Sequence, residues 1–248
     1  MSKFAETLRF WRQARRLSQL ELALEAGVSA RHISFLETGR ARPSAEMIGR
    51  LGAAMALPLD ARNQMLTRAG FAAAYASRDW NDAEMMPIRH AVERMLASHA
   101  PFPGLAVDAD WTVLRLNPAA AALFGRLGLS EGGSFLELML SDALPPLVEN
   151  WPEVAQHTAT RLRLESAARG GVARLDAAAA HLAQVPSPRG TSTGPVVPVT
   201  LRLGETRLSL FSTLAQFGTP EDLLLEDLRI ELFFPMDDAT AATLRALA

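Results

Sequence analysis

The side chains best suited to bind a partner are concentrated between Ser18 and Ser44. Within this segment, Arg31, Ser34 and Phe35 are spaced so that one face of a helix would present all three. An arginine can bind guanine through two hydrogen bonds, a serine hydroxyl can bond to base edges, and an aromatic ring can touch a thymine methyl group. This combination predicts a surface that reads DNA bases.

Two further arginines and a histidine extend this surface. Arg40 and Arg42 follow closely in the chain, where they could bind phosphates of the DNA backbone. His32 lies on the flank of the helix, nearer the sugar-phosphate wall, unless it is an ordinary surface histidine. Phe35 either touches a base or packs under the following helix. We therefore expect the reading of bases to depend mainly on Arg31.

The local sequence predicts two helices that position these side chains. Ser18 and Glu21 form a capping box, so a helix begins at Gln19. Gly27 is suited to end that helix as a left-handed cap, and Ser29 can cap the next helix. Two helices therefore meet across a short turn.

The apolar pattern assigns a face to each of these helices. Leu20, Ala23 and Leu24 lie on one face of the first helix, whereas Ile33 and Leu36 form the inward pair of the second. The side opposite that inward pair is the one that presents the base-reading side chains.

Charge is divided unevenly along the 248 residues. Residues 1–75 contain eleven Lys or Arg against six Asp or Glu, a net charge of +5, whereas residues 76–248 have a net charge of −7. The basic segment is the one with the candidate DNA-binding residues, which fits DNA as a partner. We predict a five-helix DNA-binding domain over residues 1–75, a linker over 76–86 and a second domain over 87–248.

Several classes of function are not supported by the sequence. The absence of Cys excludes disulfides, thiolate chemistry and cysteine zinc sites. The sequence shows no phosphate-binding loop, nucleophile elbow or zinc-protease motif, and neither His157 nor His181 has a haem-binding signature. We therefore expect no enzyme activity, cofactor or metal. With no long apolar run or signal peptide, we expect a cytoplasmic protein without membrane insertion.

The segment from Ser18 to Ser44 resembles the lambda-repressor-like, XRE-type helix-turn-helix family of DNA-binding proteins. The resemblance rests on Gln19, on the AGVS turn, on the buried Ile33 and Leu36, and on the exit ETGRARPS. In that family, the first residue of this helix and the exit loop hold phosphates, while early residues of the next helix read bases. The residue pattern and the resemblance together predict these DNA-binding residues, with Gln19 implied by the resemblance alone: Gln19, Ser29, Ala30, Arg31, His32, Ser34, Phe35, Arg40 and Arg42.

In the second domain, the spacing of apolar residues changes along the chain between that of helices and that of strands. After a helix over residues 87–98, the pattern predicts a hairpin, then helices from Ser134 to about Gln184, then a polar loop over 186–195. The strand-like segments are 104–108, 111–117, 196–203, 206–217 and 228–236.

Two strands, several helices and three strands form the layout of a PAS-type sensor domain. The segments DADWTVLRLNPAAAALFG and ENWPEVA also resemble the ligand-binding domain of methylenomycin-regulator-like (MmyB-like) regulators, and ARHISFLETGRARPS is similar to the helix-turn-helix branch that precedes it. The resemblance implies an α+β protein: an all-α five-helix lambda-repressor-like domain followed by a PAS-like domain with a five-stranded antiparallel sheet and inserted helices.

PAS-type domains hold ligands between the sheet and the inserted helices, and both surfaces are apolar here. The alternative for each candidate residue is that it fills the core of its own domain. The candidate wall residues are Leu105, Val107, Leu114, Leu116, Phe124, Phe135, Leu138, Met139, Trp151, Leu162, Phe211 and Leu214.

Three polar residues are candidates for orienting a ligand. Asn150 begins the long helix together with Trp151, and His157 and Arg161 follow two turns later. By resemblance to domains associated with fatty-acid-like ligands, a ligand carboxylate could meet Arg161 while its apolar tail runs along the sheet.

Two functions from different classes follow from these observations. The first is a ligand-responsive, sequence-specific transcription regulator that senses an apolar small molecule, for which fatty acids are one candidate class. It would bind a palindromic operator as a homodimer. The second is an antitoxin-like or scaffold protein that binds DNA through the same helices and a protein partner through its second domain. A second domain without a pocket, with an exposed apolar patch, would favour the latter.

Overall fold

The computed structural model describes residues 2–186 and 195–247, so most of the predicted polar loop over 186–195 lies outside the described residues. The chain divides into two compact units. One contains the N-terminal segment to Ser77 with Leu164–Ala173 and Glu221–Glu226, and the other contains the remaining segments. Each unit is described separately below.

The N-terminal part of the first unit consists of five short helices. Their caps explain where each one begins, because a side-chain oxygen accepts from an otherwise unpaired backbone N–H. Ser2, Ser18, Ser29 and Ser44 cap four of them in this way, whereas the fifth begins after Pro58 without a side-chain cap. The helices are α1 (Lys3–Ala14), α2 (Gln19–Ala26), α3 (Ala30–Thr38), α4 (Ala45–Ala54) and α5 (Leu59–Arg68).

The turn between α2 and α3 forms as its sequence predicts. Ser18 and Glu21 make both hydrogen bonds of a capping box, and Gly27 ends α2 at φ 62°. Gly39 ends α3 at φ 75°. Both glycines occupy the left-handed region, where a side chain would be strained, so they separate α2, α3 and the exit loop at fixed points.

The core of the five helices contains the predicted inward pair of α3, Ile33 and Leu36, both fully buried. On α2, the buried residues are Leu22, Ala23 and Ala26, whereas Leu20 and Leu24 stay exposed. The apolar face suggested by the spacing of Leu20 and Leu24 is therefore not the packed one. Other large core residues are Phe4, Leu8, Trp11, Ile48, Leu51, Met55, Leu57 and Met65.

The later part of the chain contains a five-stranded antiparallel sheet, with helices before, between and after its strands. The helices are α6 (Met86–His99), α7 (Pro118–Phe124), α8 (Phe135–Leu140), α9 (Trp151–Ala168), α10 (Ala173–Leu182), α11 (Leu223–Asp227) and α12 (Asp238–Leu247). The strands are β1 (Gly104–Val107), β2 (Val113–Leu116), β3 (Val199–Leu203), β4 (Thr206–Ala215) and β5 (Arg229–Pro235).

The sheet order is β2-β1-β5-β4-β3, so the last strand in sequence lies at the centre. The predicted α+β architecture is confirmed: a helical helix-turn-helix region followed by a domain with a five-stranded antiparallel sheet. All five predicted strands form, each within a few residues of its expected bounds. No helix in the described part of the chain is long and apolar enough to cross a membrane.

The register of the sheet separates its two faces, because opposed residues in antiparallel strands share a face. Leu210 pairs with both Val199 and Pro235, and Ser212 pairs with Phe233, so these residues share one face. The helices α7, α8 and α9 pack there. We call this side the inner face.

Phe211 pairs with Phe234 on the opposite face, where their rings stack with centroids 5.4 Å apart. His99 of α6 packs edge-on against Phe234 at 4.7 Å on the same side. The two faces are therefore covered by different helices.

A candidate DNA-binding surface and a candidate ligand cavity

The outward side of α3 presents the residues predicted to read bases. Arg31 is exposed, and Ser34 and Phe35 are half-buried on the side away from Ile33. His32 and Ala30 are half-buried as well. Ser29 is exposed, and its Oγ accepts from the backbone N–H of His32 at 3.2 Å, so its hydroxyl also fixes the start of the helix.

Phe35 brings two of the arginines together. The guanidinium carbon of Arg31 lies 5.1 Å from the centre of the Phe35 ring, and that of Arg40 lies 5.9 Å from it. Arg31 precedes Phe35 by one helical turn, and Arg40 follows the Gly39 cap. Cation–π contacts of this kind hold flexible arginine side chains in preferred positions. Phe35 therefore links the surface of α3 to the exit loop, where Arg42 is exposed.

Glu37 is the buried centre of a polar network under this surface. Arg12 donates to the Glu37 carboxylate through Nε at 2.6 Å and through its terminal nitrogen at 3.0 Å, and Gln19 Nε2 donates to the carboxylate at 2.8 Å. Arg9 approaches the carboxylate to 3.8 Å. The Glu37 side chain is only 1% exposed. One carboxylate thus joins α1, α2 and α3.

The charge of Glu37 is favoured by its partners. Burial by itself raises the pKa of the Glu37 carboxyl, but hydrogen bonds from Arg12 and Gln19, with the nearby positive charges, outweigh it and lower the pKa. The same hydrogen bond to Glu37 raises the pKa of Arg12 above its ordinary value. Gln19, predicted as a phosphate contact, is held by this network at the N-terminus of α2.

Glu37 was missed by reasoning from the sequence. The available signal was its spacing, because position 37 lies four residues after Ile33 and directly after Leu36, on the inward side of α3. A carboxylate at an inward position requires buried donors. Those donors come from two other helices, and the helical pattern of α3 alone does not identify them.

A cavity lies between the inner face of the sheet and the helices α7, α8 and α9. The space in it that is wide enough for a water-sized sphere is about 50 Å³, and the cavity is partly open to solvent. Each described residue that lines it is apolar. The lining residues are Phe124, Leu127, Phe135, Leu138, Met139, Leu144, Val148, Trp151, Val154, Val199, Leu201, Leu210 and Phe233.

The structure brings together part of the predicted ligand-binding set. Phe124, Phe135, Met139 and Trp151 line the cavity, as does Leu138 from the wider set of wall residues. These residues belong to α7, α8 and the start of α9, which are helices inserted after the second strand.

Other predicted wall residues lie elsewhere. Leu105 is fully buried in β1, and Leu114 and Leu116 are half-buried in β2, all three outside the lining. Phe211 lies on the opposite face of the sheet, stacked on Phe234. Because Phe211 and Leu210 are adjacent in β4, their side chains point to opposite faces of the sheet. Both are apolar, so the sequence does not show which of the two faces packs against the helices.

The predicted polar candidates are not part of the lining. Asn150 joins the start of α9 to β3, since its Nδ2 donates to the Pro198 carbonyl at 2.7 Å and its Oδ1 accepts from the Thr200 N–H at 3.0 Å. His157 is exposed on α9.

Arg161 lies in a buried charged group beside the cavity. One of its terminal nitrogens donates to the two oxygens of the Glu231 carboxylate at 3.3 and 3.2 Å, and its guanidinium carbon lies 4.4 Å from the Trp111 ring centre. Ser212 Oγ donates to the same carboxylate at 2.7 Å. The Glu231 side chain is 6% exposed and that of Arg161 is 17% exposed.

The other lining residues were missed by reasoning from the sequence. On the sheet they are Val199, Leu201, Leu210 and Phe233, which share one face by strict alternation along β3, β4 and β5. The alternation was visible in the sequence, but the face that meets the helices was not. Among His, Cys, Asp and Glu of the described residues, no group is placed to hold a metal ion.

Comparisons with known families match both parts of the chain. Residues 8–61 match a helix-turn-helix family, and residues 88–247 match the family described as MmyB-like transcription regulator ligand binding domain. No curated protein matches the chain. The predicted resemblance is confirmed, and the two matches describe a DNA-binding transcription regulator with a ligand-binding domain. The chain therefore belongs to the MmyB-like family of transcription regulators, with a helix-turn-helix ahead of its ligand-binding domain.

Proposed function

We propose that this protein binds a specific DNA operator through α3 and releases or strengthens that binding when an apolar small molecule occupies the cavity on the inner face of the sheet. The observation that supports this most directly is a cavity lined by apolar side chains in the domain that matches a ligand-binding family. Such a protein would act in the cytoplasm, where it has access to DNA.

The DNA contacts follow from the exposed side of α3 and the loop that leaves it. Arg31 and Ser34 are the proposed base contacts, together with Ala30 where a thymine methyl group is present. Ser29 and His32 lie at the edge of this surface. Gln19, Arg40 and Arg42 are the proposed phosphate contacts, which would fix the position of the protein on DNA and would not read its sequence.

Phe35 has a specific part in this proposal. Its ring lies under the guanidinium groups of Arg31 and Arg40, so a base-reading arginine and a phosphate-binding arginine share one support. We propose that Phe35 holds the two arginines at a fixed spacing and that it contacts a thymine methyl group only at its exposed edge.

One recognition helix covers only a few base pairs, so specific binding requires two copies. We propose a homodimer on a palindromic operator, in which the two copies of α3 occupy successive major grooves. An effector changes DNA affinity only if it binds the two states of the dimer differently.

The proposed effector is apolar, and the fatty-acid class suggested by the family resemblance supplies a chain of the required character. The residues that would contact it are Phe124, Phe135, Met139 and Trp151, with the sheet residues of the lining. The apolar cavity, in a domain that matches a ligand-binding family, is the feature that favours an effector over the antitoxin-like alternative.

Operator selection from random DNA, followed by titration with small molecules extracted from the purified protein, tests this proposal. We expect a palindromic consensus and a change in its affinity, but not in that of random DNA at matched ionic strength, when the extract is added. Selection without any consensus would contradict the DNA-binding part. A consensus that no extracted molecule affects would contradict effector sensing alone.

A further inference from the structure

One arginine of α4 binds the turn that leads into α3. Arg50 donates through a single terminal nitrogen, Nη2, to the backbone carbonyls of Ala26 and Gly27, the second at 2.8 Å. Ala26 is the last residue of α2, and Gly27 is its cap. The approach is close, since a Cβ atom on Gly27 would lie 2.9 Å from this nitrogen. Arg50 therefore binds the backbone of the turn itself.

A positive charge is favoured at the end of α2. The last carbonyls of a helix have no partner within that helix, and they form the negative end of its dipole. The Gly27 N–H bonds back to the carbonyls of Ala23 and Leu24, and no basic residue lies in the last turn of α2. Arg50 therefore supplies from another helix both the hydrogen-bond donor and the positive charge that α2 lacks.

Arg50 reaches this turn from a fixed position. Its neighbours on α4, Ile48 and Leu51, are buried in the core of the five helices. On the other side of the contact, Ser29 caps α3 only two residues after Gly27. The start of α3 is thus held by α4, whereas its end is held by the buried carboxylate network that includes α1 and α2.

We propose that Arg50 is a positioning residue for base reading, which fixes the start of α3, and with it Arg31, without itself contacting DNA. The inference rests on the proposed function, in which Arg31 contacts a base. Arg31 lies in the first turn of α3, four residues after Gly27, so a displacement of the turn also displaces Arg31. A bidentate contact between arginine and guanine tolerates little displacement, because both of its hydrogen bonds require defined distances and angles.

The test measures the specificity ratio, which is the affinity of the full chain for its selected operator divided by its affinity for random DNA. Fluorescence anisotropy at matched ionic strength gives both affinities. We expect Arg50→Met to lower this ratio at least about fivefold, as for the loss of a bidentate contact between arginine and a base. Partial unfolding would lower both affinities equally and leave the ratio unchanged. Arg94→Met, which removes an exposed arginine from α6, is the control and should not change the ratio.

A double substitution shows whether Arg50 acts through Arg31. Two residues that serve the same contact have effects that do not add, because the contact can be lost only once. In a protein that already carries Arg31→Ala, we therefore expect Arg50→Met to lower the specificity ratio by less than about twofold. The same loss with and without Arg31→Ala would show that the two arginines act independently, and it would overturn the inference.

The salt dependence separates positioning from a phosphate contact, which is the alternative for an exposed arginine such as Arg50. We expect Arg50→Met to leave the slope of log affinity against log salt unchanged, since no phosphate contact is lost. A slope reduced by about one, with an unchanged specificity ratio, would make Arg50 a phosphate contact and overturn the inference alone. If the unmodified protein selects no consensus from random DNA, sequence-specific binding fails, and the inference fails with it.

Discussion

Two buried glutamates, one in each unit, are paired with an arginine, and they differ in what they hold together. The Glu37 carboxylate accepts hydrogen bonds from two nitrogens of Arg12 and from the side-chain amide of Gln19, and Arg9 lies nearby. It therefore joins three helices. Glu231 binds one nitrogen of Arg161 and the Ser212 hydroxyl, and so joins one helix to the sheet.

The difference shows how a buried charge is used in each place. The Glu37 network lies under an exposed basic surface and fixes the relative positions of the elements that would contact DNA. The Glu231 pair lies beside an apolar cavity, and its two charges face each other and not the cavity wall. In the first case the ion pair supports a charged surface, and in the second it keeps charge away from an apolar one.

Loss of the Glu37 carboxylate should have the largest effect. We expect Glu37→Ala to lower the free energy of unfolding of the helical part by about 3 to 5 kcal/mol, because Arg12 and Gln19 lose a buried acceptor. Urea denaturation followed by circular dichroism measures this, with Glu25→Ala on the exposed surface of α2 as the control. A loss similar to that of the control would show that the network contributes little.

The pH dependence of stability should show whether the buried Glu37 carboxylate is charged. Its pKa is lowered in the folded protein, so its contribution to stability is present above the unfolded value of about 4.3 and is lost as pH falls through the folded pKa. We expect the stability difference between the unmodified protein and Glu37→Gln to shrink over that acidic range. A difference that stays constant with pH would contradict a charged Glu37.

On the DNA-binding surface, Arg31→Ala should weaken operator binding by about 1 to 3 kcal/mol and relax specificity at one base pair. Fluorescence anisotropy on the selected operator and its single-base variants measures both effects. Arg94→Ala, which removes an exposed arginine from α6, is the matched charge control. Equal weakening on operator and random DNA would make Arg31 a phosphate contact.

The Glu231 pair should be replaceable where the Glu37 network is not. We expect the double substitution Arg161→Met with Glu231→Leu to change the free energy of unfolding by only about 1 kcal/mol, since removing both charges of a buried pair is often nearly neutral. Arg12→Met with Glu37→Leu should cost clearly more, because the half-buried Gln19 amide also loses its acceptor, whereas the exposed Ser212 hydroxyl can bond to water when Glu231 is removed. Equal costs for the two double variants, measured by urea denaturation, would remove the distinction between the two glutamates.

The smallest effect is expected from the exit loop. Arg40→Ala and Arg42→Ala should each weaken binding to any DNA sequence and reduce the slope of log affinity against log salt by about one. Titrations at several salt concentrations measure the slope, again with Arg94→Ala as the control. A loss confined to one operator base pair would instead place the substituted arginine at a base.

Local patterns in the sequence determined where the helices begin and end. Ser18 with Glu21, Gly27 and Ser29 define the two central helices from a few neighbouring residues, because caps act within one helical turn. The five strands and the helices between them also follow from period and turn residues, and the resemblance to a two-part regulator rests on contiguous motifs.

Which faces meet and which charges pair depends on contacts between distant segments of the chain. Leu210 and Phe211 are adjacent and both apolar, so the strand pattern does not show which of them faces the helices. In the sheet, paired with β5, only Leu210 lines the cavity. The sequence around Arg161 on α9 does not identify a partner for it. In the fold, β5 places Glu231 beside Arg161, although Glu231 is seventy residues later in the chain. Packing between distant segments sets these outcomes, and a pattern confined to one segment contains no information about its partner.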